Sequence, residues 1–143
     1  MKIMVSACLL GDNVKYNGKN NYQEDLVKFL KNHEIIKICP EVLGGLSIPR
    51  SPSEIKDDRV INKNYEDVTK EFVLGSEKAL DIARLENIKV AILKANSPSC
   101  GSGYIYDGTF QNKLIEGDGK TAELLKRNGI TILNEKNYKE YKW

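Results

Sequence analysis

The chain has one histidine, one tryptophan and four prolines in 143 residues, and no two of its three cysteines form a Cys-x-x-Cys pair. A single histidine leaves no material for a His-based metal site, and without the cysteine pair there is no thioredoxin-like redox motif. Apolar runs are only a few residues long, far short of the ~20 that span a bilayer, so no transmembrane helix is expected and the chain reads as soluble. A strong charge of either sign is also missing. Lys and Arg number 22 against 20 Asp and Glu, and the resulting +2 is too small for the basic face of a protein that binds duplex nucleic acid. A small neutral or anionic ligand fits that balance better.

Val5-Ser6-Ala7-Cys8 has the look of a lipoprotein cleavage box. Only four residues precede it, whereas a signal peptide needs a charged segment and an apolar stretch of about 7–15 residues before the cut. An odd number of widely spaced cysteines with no such peptide argues for reduced thiols in the cytoplasm rather than a secreted disulfide framework. Each thiol is then inert core, nucleophile or metal ligand.

Lys2 to Ala7 and Glu34 to Ile38 read as short buried strands, and each ends at a cysteine. Between them Tyr22, Leu26, Phe29 and Leu30 follow helical spacing, with Asn21 and Glu24 placed as cap and partner, which completes a β-α-β unit. A longer helix is expected from about Asp67 to Glu86, with Val68, Phe72, Ala79 and Ala83 on its inner face, Asp67 as N-cap and Gly75 as an internal weakness. A third strand follows over Lys89 to Lys94, then a helix from Gly119 to Asn128 closed by Gly129, and a fourth strand over Ile130 to Leu133. Leu43 to Asn64 reads as a long ordered loop, Gly101 to Gly117 as a hairpin around Asp107-Gly108, and the Lys-rich tail after Glu135 as solvated. Strands alternating with helices imply a parallel sheet.

Ligands of open parallel sheets bind beyond the carboxyl ends of the strands. Cys8, Cys39 and Cys100 each follow a strand and so face one rim, with none inside a strand or helix. Free cysteine is often plain core, but three that stop at the same edge read better as one functional site. Clustered thiolates repel one another unless a cation sits among them, which favours a metal centre, zinc or iron–sulfur. His33 lies in a turn toward the opposite edge and is expected to be solvent-exposed, so a closed zinc site lacks its fourth ligand. The compact ferredoxin spacing is absent too, so spacing alone does not decide between the two metals.

The flanks of the cysteines carry more. Ser6-Ala7-Cys8-Leu9-Leu10-Gly11, Cys39-Pro40-Glu41-Val42-Leu43-Gly44-Gly45-Leu46 with Pro49-Arg50, Asn96-Ser97-Pro98-Ser99-Cys100-Gly101-Ser102-Gly103, Tyr106-Asp107-Gly108-Thr109-Phe110 and Gly117-Asp118-Gly119 occur in that order along nearly the whole chain. Together they resemble the thiouracil desulfurase (thiouracil desulfidase) family, once grouped as a domain of unknown function. The resemblance implies an oxygen-sensitive [4Fe-4S] cluster held by Cys8, Cys39 and Cys100, with the fourth iron open to the sulfur of a thiolated pyrimidine base or nucleotide. It implies Glu41 and Ser97 as the catalytic pair, and hydrolysis of the C–S bond without net electron transfer. Glu41 is the candidate general base or proton shuttle, and its bland alternative is a surface carboxylate. Ser97 is a candidate donor to substrate or water, and Ser before Pro is also common in plain turns.

The expected whole is a single α/β domain over residues 1–143, a Rossmann-like three-layer fold with a mainly parallel sheet of four or more strands and a small hairpin excursion. Two other functional classes stay open: a non-catalytic iron–sulfur or zinc-binding module, and a metal-free sulfur carrier or thiol protein. Arg50 is read either as an anion contact for substrate or as half of a structural ion pair. The stretch from Asn96 to Gly103 is a candidate backbone nest for sulfides, or else a tight turn. Tyr104, Tyr106 and Phe110 are strand packing first and a base-stacking platform second. Gly119-Lys120-Thr121 lacks the upstream glycine of a phosphate loop, so Asp118 is read as a helix cap.

Overall fold

The computed structural model describes residues 1–143. In chain order the elements are β1 (Lys2–Ser6), a 3-10 turn (Ala7–Leu10), α1 (Glu24–Leu30), β2 (Glu34–Ile38), α2 (Pro40–Leu43), β3 (Ser53–Lys56), β4 (Arg59–Asn62), α3 (Thr69–Leu85), β5 (Val90–Ile92), β6 (Tyr104–Tyr106), β7 (Leu114–Glu116), α4 (Lys120–Arg127), β8 (Thr131–Leu133) and a closing 3-10 turn (Tyr138–Glu140). The main sheet has the order β2-β1-β5-β8 and every pair in it is parallel. From β1 the chain crosses first to β2 on one side and later to β5 on the other. The carboxyl ends of β1 and β5 therefore flank the topological switch point, where such sheets open a crevice.

Alternation along β1 builds three layers. Ile3 and Val5 pack with Leu26 and Leu30 of α1 on one face, whereas Met4 packs with Ala79 and Ala83 of α3 and with Ala122 and Leu125 of α4 on the other. Successive side chains of a strand point to opposite faces, so one five-residue strand joins both halves of the core. No helix is long and apolar enough to cross a membrane.

The sequence expectations need several corrections. Leu43 to Asn64 is not all loop: β3 and β4 form an antiparallel hairpin whose two turn residues, Asp57 and Asp58, both have positive φ. That is type I′ geometry reached without the usual glycine. The excursion after Gly101 does pair, β6 with β7, but through a seven-residue connection rather than a tight Asp107-Gly108 turn. Helix α1 starts at Glu24, later than expected, and Asn21 does not cap it. Asp67 stands one residue before the N-cap of α3, and its carboxylate accepts the Thr69 N–H at 2.9 Å and the Arg59 Nε–H at 2.9 Å. Those hydrogen bonds, led by Thr69, hold its carboxyl down to about 2. His33 is half-buried, 5.1 Å from the Phe29 ring and 5.8 Å from the Trp143 ring. The tail is docked as well: Tyr138 is buried, and the Trp143 indole N–H donates to its carbonyl at 2.8 Å.

Gly75 explains itself through α2. A Cβ there would lie 1.9 Å from the Pro40 carbonyl oxygen, and one on Gly44 would lie 1.9 Å from the Glu71 carbonyl oxygen. The two glycines let α2 rest directly on α3, and α2 carries Glu41. Replacing Gly75 with Ala brings a helix-propensity gain of about 1 kcal/mol. Overpacking of this kind costs about 1–3 kcal/mol where side chains give way, and here the obstacle is backbone. We expect Gly75→Ala to lower the thermal midpoint by several degrees; an unchanged or raised midpoint would show that α2 does not need this contact.

Candidate metal centre

Each cysteine is set by a local device at the carboxyl end of its strand. Cys8 sits in the 3-10 turn after β1, closed by Gly11 in the left-handed conformation, and the Asn21 N–H bonds its carbonyl at 2.9 Å. Cys39 is the N-cap of α2, with Pro40 at the first helical position, where a missing N–H costs nothing. Cys100 closes the loop after β5, which the start of α4 clamps from behind. Lys120 N–H donates to the Pro98 carbonyl at 2.9 Å, and Thr121 and Ala122 N–H donate to the Ser99 carbonyl at 2.9 and 3.1 Å. Gly119 is required for this approach, since a Cβ there would lie 2.6 Å from the Ser99 carbonyl oxygen.

The three thiols line one cavity of ≈ 500 Å³. All are free, with Cys8 and Cys39 half-buried and Cys100 buried. Burial pushes each of them up, and burial together with repulsion from Cys8 and Cys39 holds Cys100 at about 12. Local donors work against this, among them Ser6 Oγ, 3.3 Å from Cys100 Sγ, the Asn21 side chain beside Cys8, and the Val42 N–H beside Cys39. No three His, Cys, Asp or Glu side chains gather tightly enough to hold one metal ion. Around a single zinc, thiolate sulfurs bound at about 2.3 Å crowd together. Three spaced thiols around a shared cavity instead suit a larger, many-atom group with thiolate ligands, and an iron–sulfur cluster fits that donor set.

Glu41 and Ser97 come to the same cavity. Glu41 is largely buried and its Oε1 accepts the Arg50 Nε–H at 3.0 Å. Arg50 also donates to the carbonyls of Val14 at 2.9 Å and Ser47 at 3.2 Å, so of its two readings the structural ion pair is the one seen. The second carboxylate oxygen, Oε2, accepts from Ser99 Oγ at 2.9 Å, and Ser99 Oγ lies 2.9 Å from Ser97 Oγ. Ser97 Oγ also accepts the N–H groups of Ser99 and Cys100 at 3.1 and 3.0 Å.

These bonds answer the nest reading. The N–H groups of Ser99, Cys100, Gly101 and Gly103 are all bonded within the protein, to Ser97 and Asp118, and do not converge on the cavity. Asp118 is no cap either; Gly119 holds that position, and the Asp118 carboxylate takes Gly103 N–H and Lys126 Nζ–H. Of the three aromatic residues of the β6–β7 excursion, Tyr106 and Phe110 line the cavity, joined there by Tyr16, while Tyr104 is exposed. The sequence reading missed Ser6, Asn21, Ser99 and Lys94. Lys94 lines the cavity, paired at 2.9 Å with the nearly buried Glu135 from the far side of the sheet order. Ser6 and Ser99 stood beside cysteines and were legible as neighbours. Glu135 gave no signal, because only the β5–β8 pairing brings it close.

The 42% identity of the chain to the Bacillus subtilis (strain 168) protein YbbK, named as uncharacterized, extends over 143 residues, 93% of this chain and 95% of that one. The fold of this chain matches the solved [4Fe-4S]-dependent thiouracil desulfidase TudS with a TM-score of 0.91 and 42% identity, covering 97% of this chain and 93% of TudS. The model of the 2-thiouracil desulfurase family matches residues 3–137, so a chain whose three thiols, buried carboxylate and serine loop share one cavity belongs to the 2-thiouracil desulfurase family.

Proposed function

We propose that the protein is a [4Fe-4S]-dependent thiouracil desulfidase that hydrolyses the C–S bond of a small thiolated pyrimidine, with Cys8, Cys39 and Cys100 as cluster ligands and Glu41 and Ser97 as the catalytic pair. The observation that carries this reading is the shared cavity, where three thiols meet a buried carboxylate already wired to a serine hydroxyl. When bound, a cluster held by three thiolates supplies an iron without a protein ligand, a soft Lewis acid matched to a thiocarbonyl sulfur.

The chain's own residues handle the proton. Glu41 takes a proton from the water that adds to the ring carbon and returns one to the departing sulfur. Ser97 faces the cavity and orients that water. Arg50 fixes the carboxylate in place, and the Lys94–Glu135 ion pair lies beside Cys8. Tyr106 and Phe110 form an aromatic wall suited to a flat ring. Water and thiocarbonyl go to carbonyl and hydrogen sulfide, so no electrons are gained or lost. Free base and nucleotide are both substrates of the right chemistry, and the cytoplasm, where thiols stay reduced, is the compartment that suits the centre.

A metal-free sulfur carrier or thiol oxidoreductase fits poorly, since no two of the three cysteines form a Cys-x-x-Cys pair. The test is anaerobic reconstitution followed by sulfide assay with 2-thiouracil and 4-thiouracil. We expect uracil and sulfide in equal amounts; a loaded cluster with no sulfide release would point to the non-catalytic module instead.

A further inference from the structure

We propose that Glu54 is a positioning residue whose carboxylate pins the loop between β6 and β7 and thereby holds Phe110 as the wall against which the pyrimidine ring lies. The inference rests on the desulfidase reading and adds the residue that shapes the substrate's side of the cavity.

The loop over residues 107–113 is closed by one hydrogen bond, from the Asp107 N–H to the Lys113 carbonyl at 2.9 Å. Inside it the Thr109 N–H and hydroxyl both go to the Asp107 carboxylate, at 2.9 and 2.6 Å. Such bonds shape the loop but do not fix where it sits on the protein. Its place comes from Glu54 of β3, whose Oε1 accepts the Gly108 N–H at 3.0 Å and the Phe110 N–H at 3.1 Å. No other hydrogen bond joins residues 107–113 to a group outside the excursion. Alternation along β3 supplies the geometry: Ile55 packs with Val60 and Phe72, so Glu54 and Lys56 point to the opposite face. The loop lies directly on that face, since Gly108 has φ +94° and a Cβ there would sit 2.6 Å from the Lys56 Cβ.

Phe110 has a φ of 58°, in the left-handed region. That conformation is disfavoured for a bulky side chain and persists only where the surroundings over-determine it. The strained residue is also one whose N–H Glu54 accepts. A bridge between Asn96 and Ile105 anchors β6, so it is the loop itself that depends on Glu54. The outcome is a half-buried ring that lines the cavity with Tyr106. Stacking of a flat base on such a ring uses the π-face rather than the reacting atoms. Its strength is the same before and during the reaction, so losing it raises KM and leaves kcat unchanged. Glu54 lines the cavity too, and the rival reading is that its charge meets the substrate directly.

The experiment compares wild type, Glu54→Ala, Glu54→Gln, Phe110→Ala and the double variant carrying both alanines, all as cluster-loaded enzymes. For each single alanine variant we expect wild-type iron content, a KM for 4-thiouracil about tenfold higher and a kcat within about twofold of wild type. Glu54→Gln keeps a side-chain oxygen for both N–H groups and should restore KM. The double variant should be no worse than Phe110→Ala, because Glu54 acts through that ring. Amide hydrogen exchange in the peptide spanning residues 107–113 should be faster in Glu54→Ala and normal in Glu54→Gln. A Glu54→Ala enzyme with wild-type KM overturns the proposal, as do effects that multiply in the double variant and a loss of activity that merely tracks lost iron. A Glu54→Gln enzyme as impaired as Glu54→Ala overturns it too, by placing the charge itself on the substrate. If wild type releases no sulfide, the desulfidase reading fails; exchange as slow in Glu54→Ala as in wild type would separately overturn the pinning of the loop.

Discussion

Glu41→Gln is expected to load iron like the wild type and to release sulfide from 4-thiouracil at least about 100-fold more slowly, since positioned acid–base groups contribute about 10²–10⁴ in rate. Glutamine keeps an acceptor for the Arg50 Nε–H, so the ion-pair geometry is replaced by a neutral hydrogen bond of similar shape. It has no carboxylate to take a proton. Alanine is a poorer test. With its side chain 8% exposed, Arg50 would be left as an unpaired buried charge, a loss of about 3–5 kcal/mol that mixes stability with catalysis. Iron content, circular dichroism and steady-state sulfide release together check the prediction, and a loaded Glu41→Gln with wild-type turnover would remove Glu41 from the reaction.

Cys100→Ser is expected to lose both the cluster and the activity while keeping the fold. Cys100 is buried, and the Ser6 hydroxyl donates to its sulfur at 3.3 Å. A serine oxygen is a hard, poorly acidic donor where iron–sulfur chemistry calls for soft thiolate. Volume hardly changes, and the surrounding loop is held by α4 rather than by the side chain itself. The variant should therefore show a native circular dichroism spectrum, little bound iron after anaerobic reconstitution, and no detectable sulfide release. An active, cluster-free Cys100→Ser protein would be incompatible with the proposed mechanism.

Much of this arrangement is legible in the sequence because strand ends are. The apolar runs of β1 and β2 stop at Cys8 and Cys39, and the parallel pattern puts those ends on one rim. Helix α2 was not legible, since four residues are too few for a 3.6-residue period. The β3–β4 hairpin was hidden because its turn is Asp57-Asp58 rather than Asn-Gly, and few of its residues are apolar. The closing segment looked solvated because Lys, Glu and Asn dominate it, yet Tyr138 anchors it among Leu26, Leu30 and Ile92. Ser99 was hidden for another reason: between Pro98 and Cys100 a serine reads as turn chemistry, and its partner Glu41 lies 58 residues away.

The most direct test of the centre is the iron and acid-labile sulfide content per chain, with the visible absorption spectrum, of protein purified without oxygen. The proposed three-thiolate [4Fe-4S] site requires about four of each. Protein that takes up no iron under anaerobic reconstitution, or that holds zinc in its place, would contradict it.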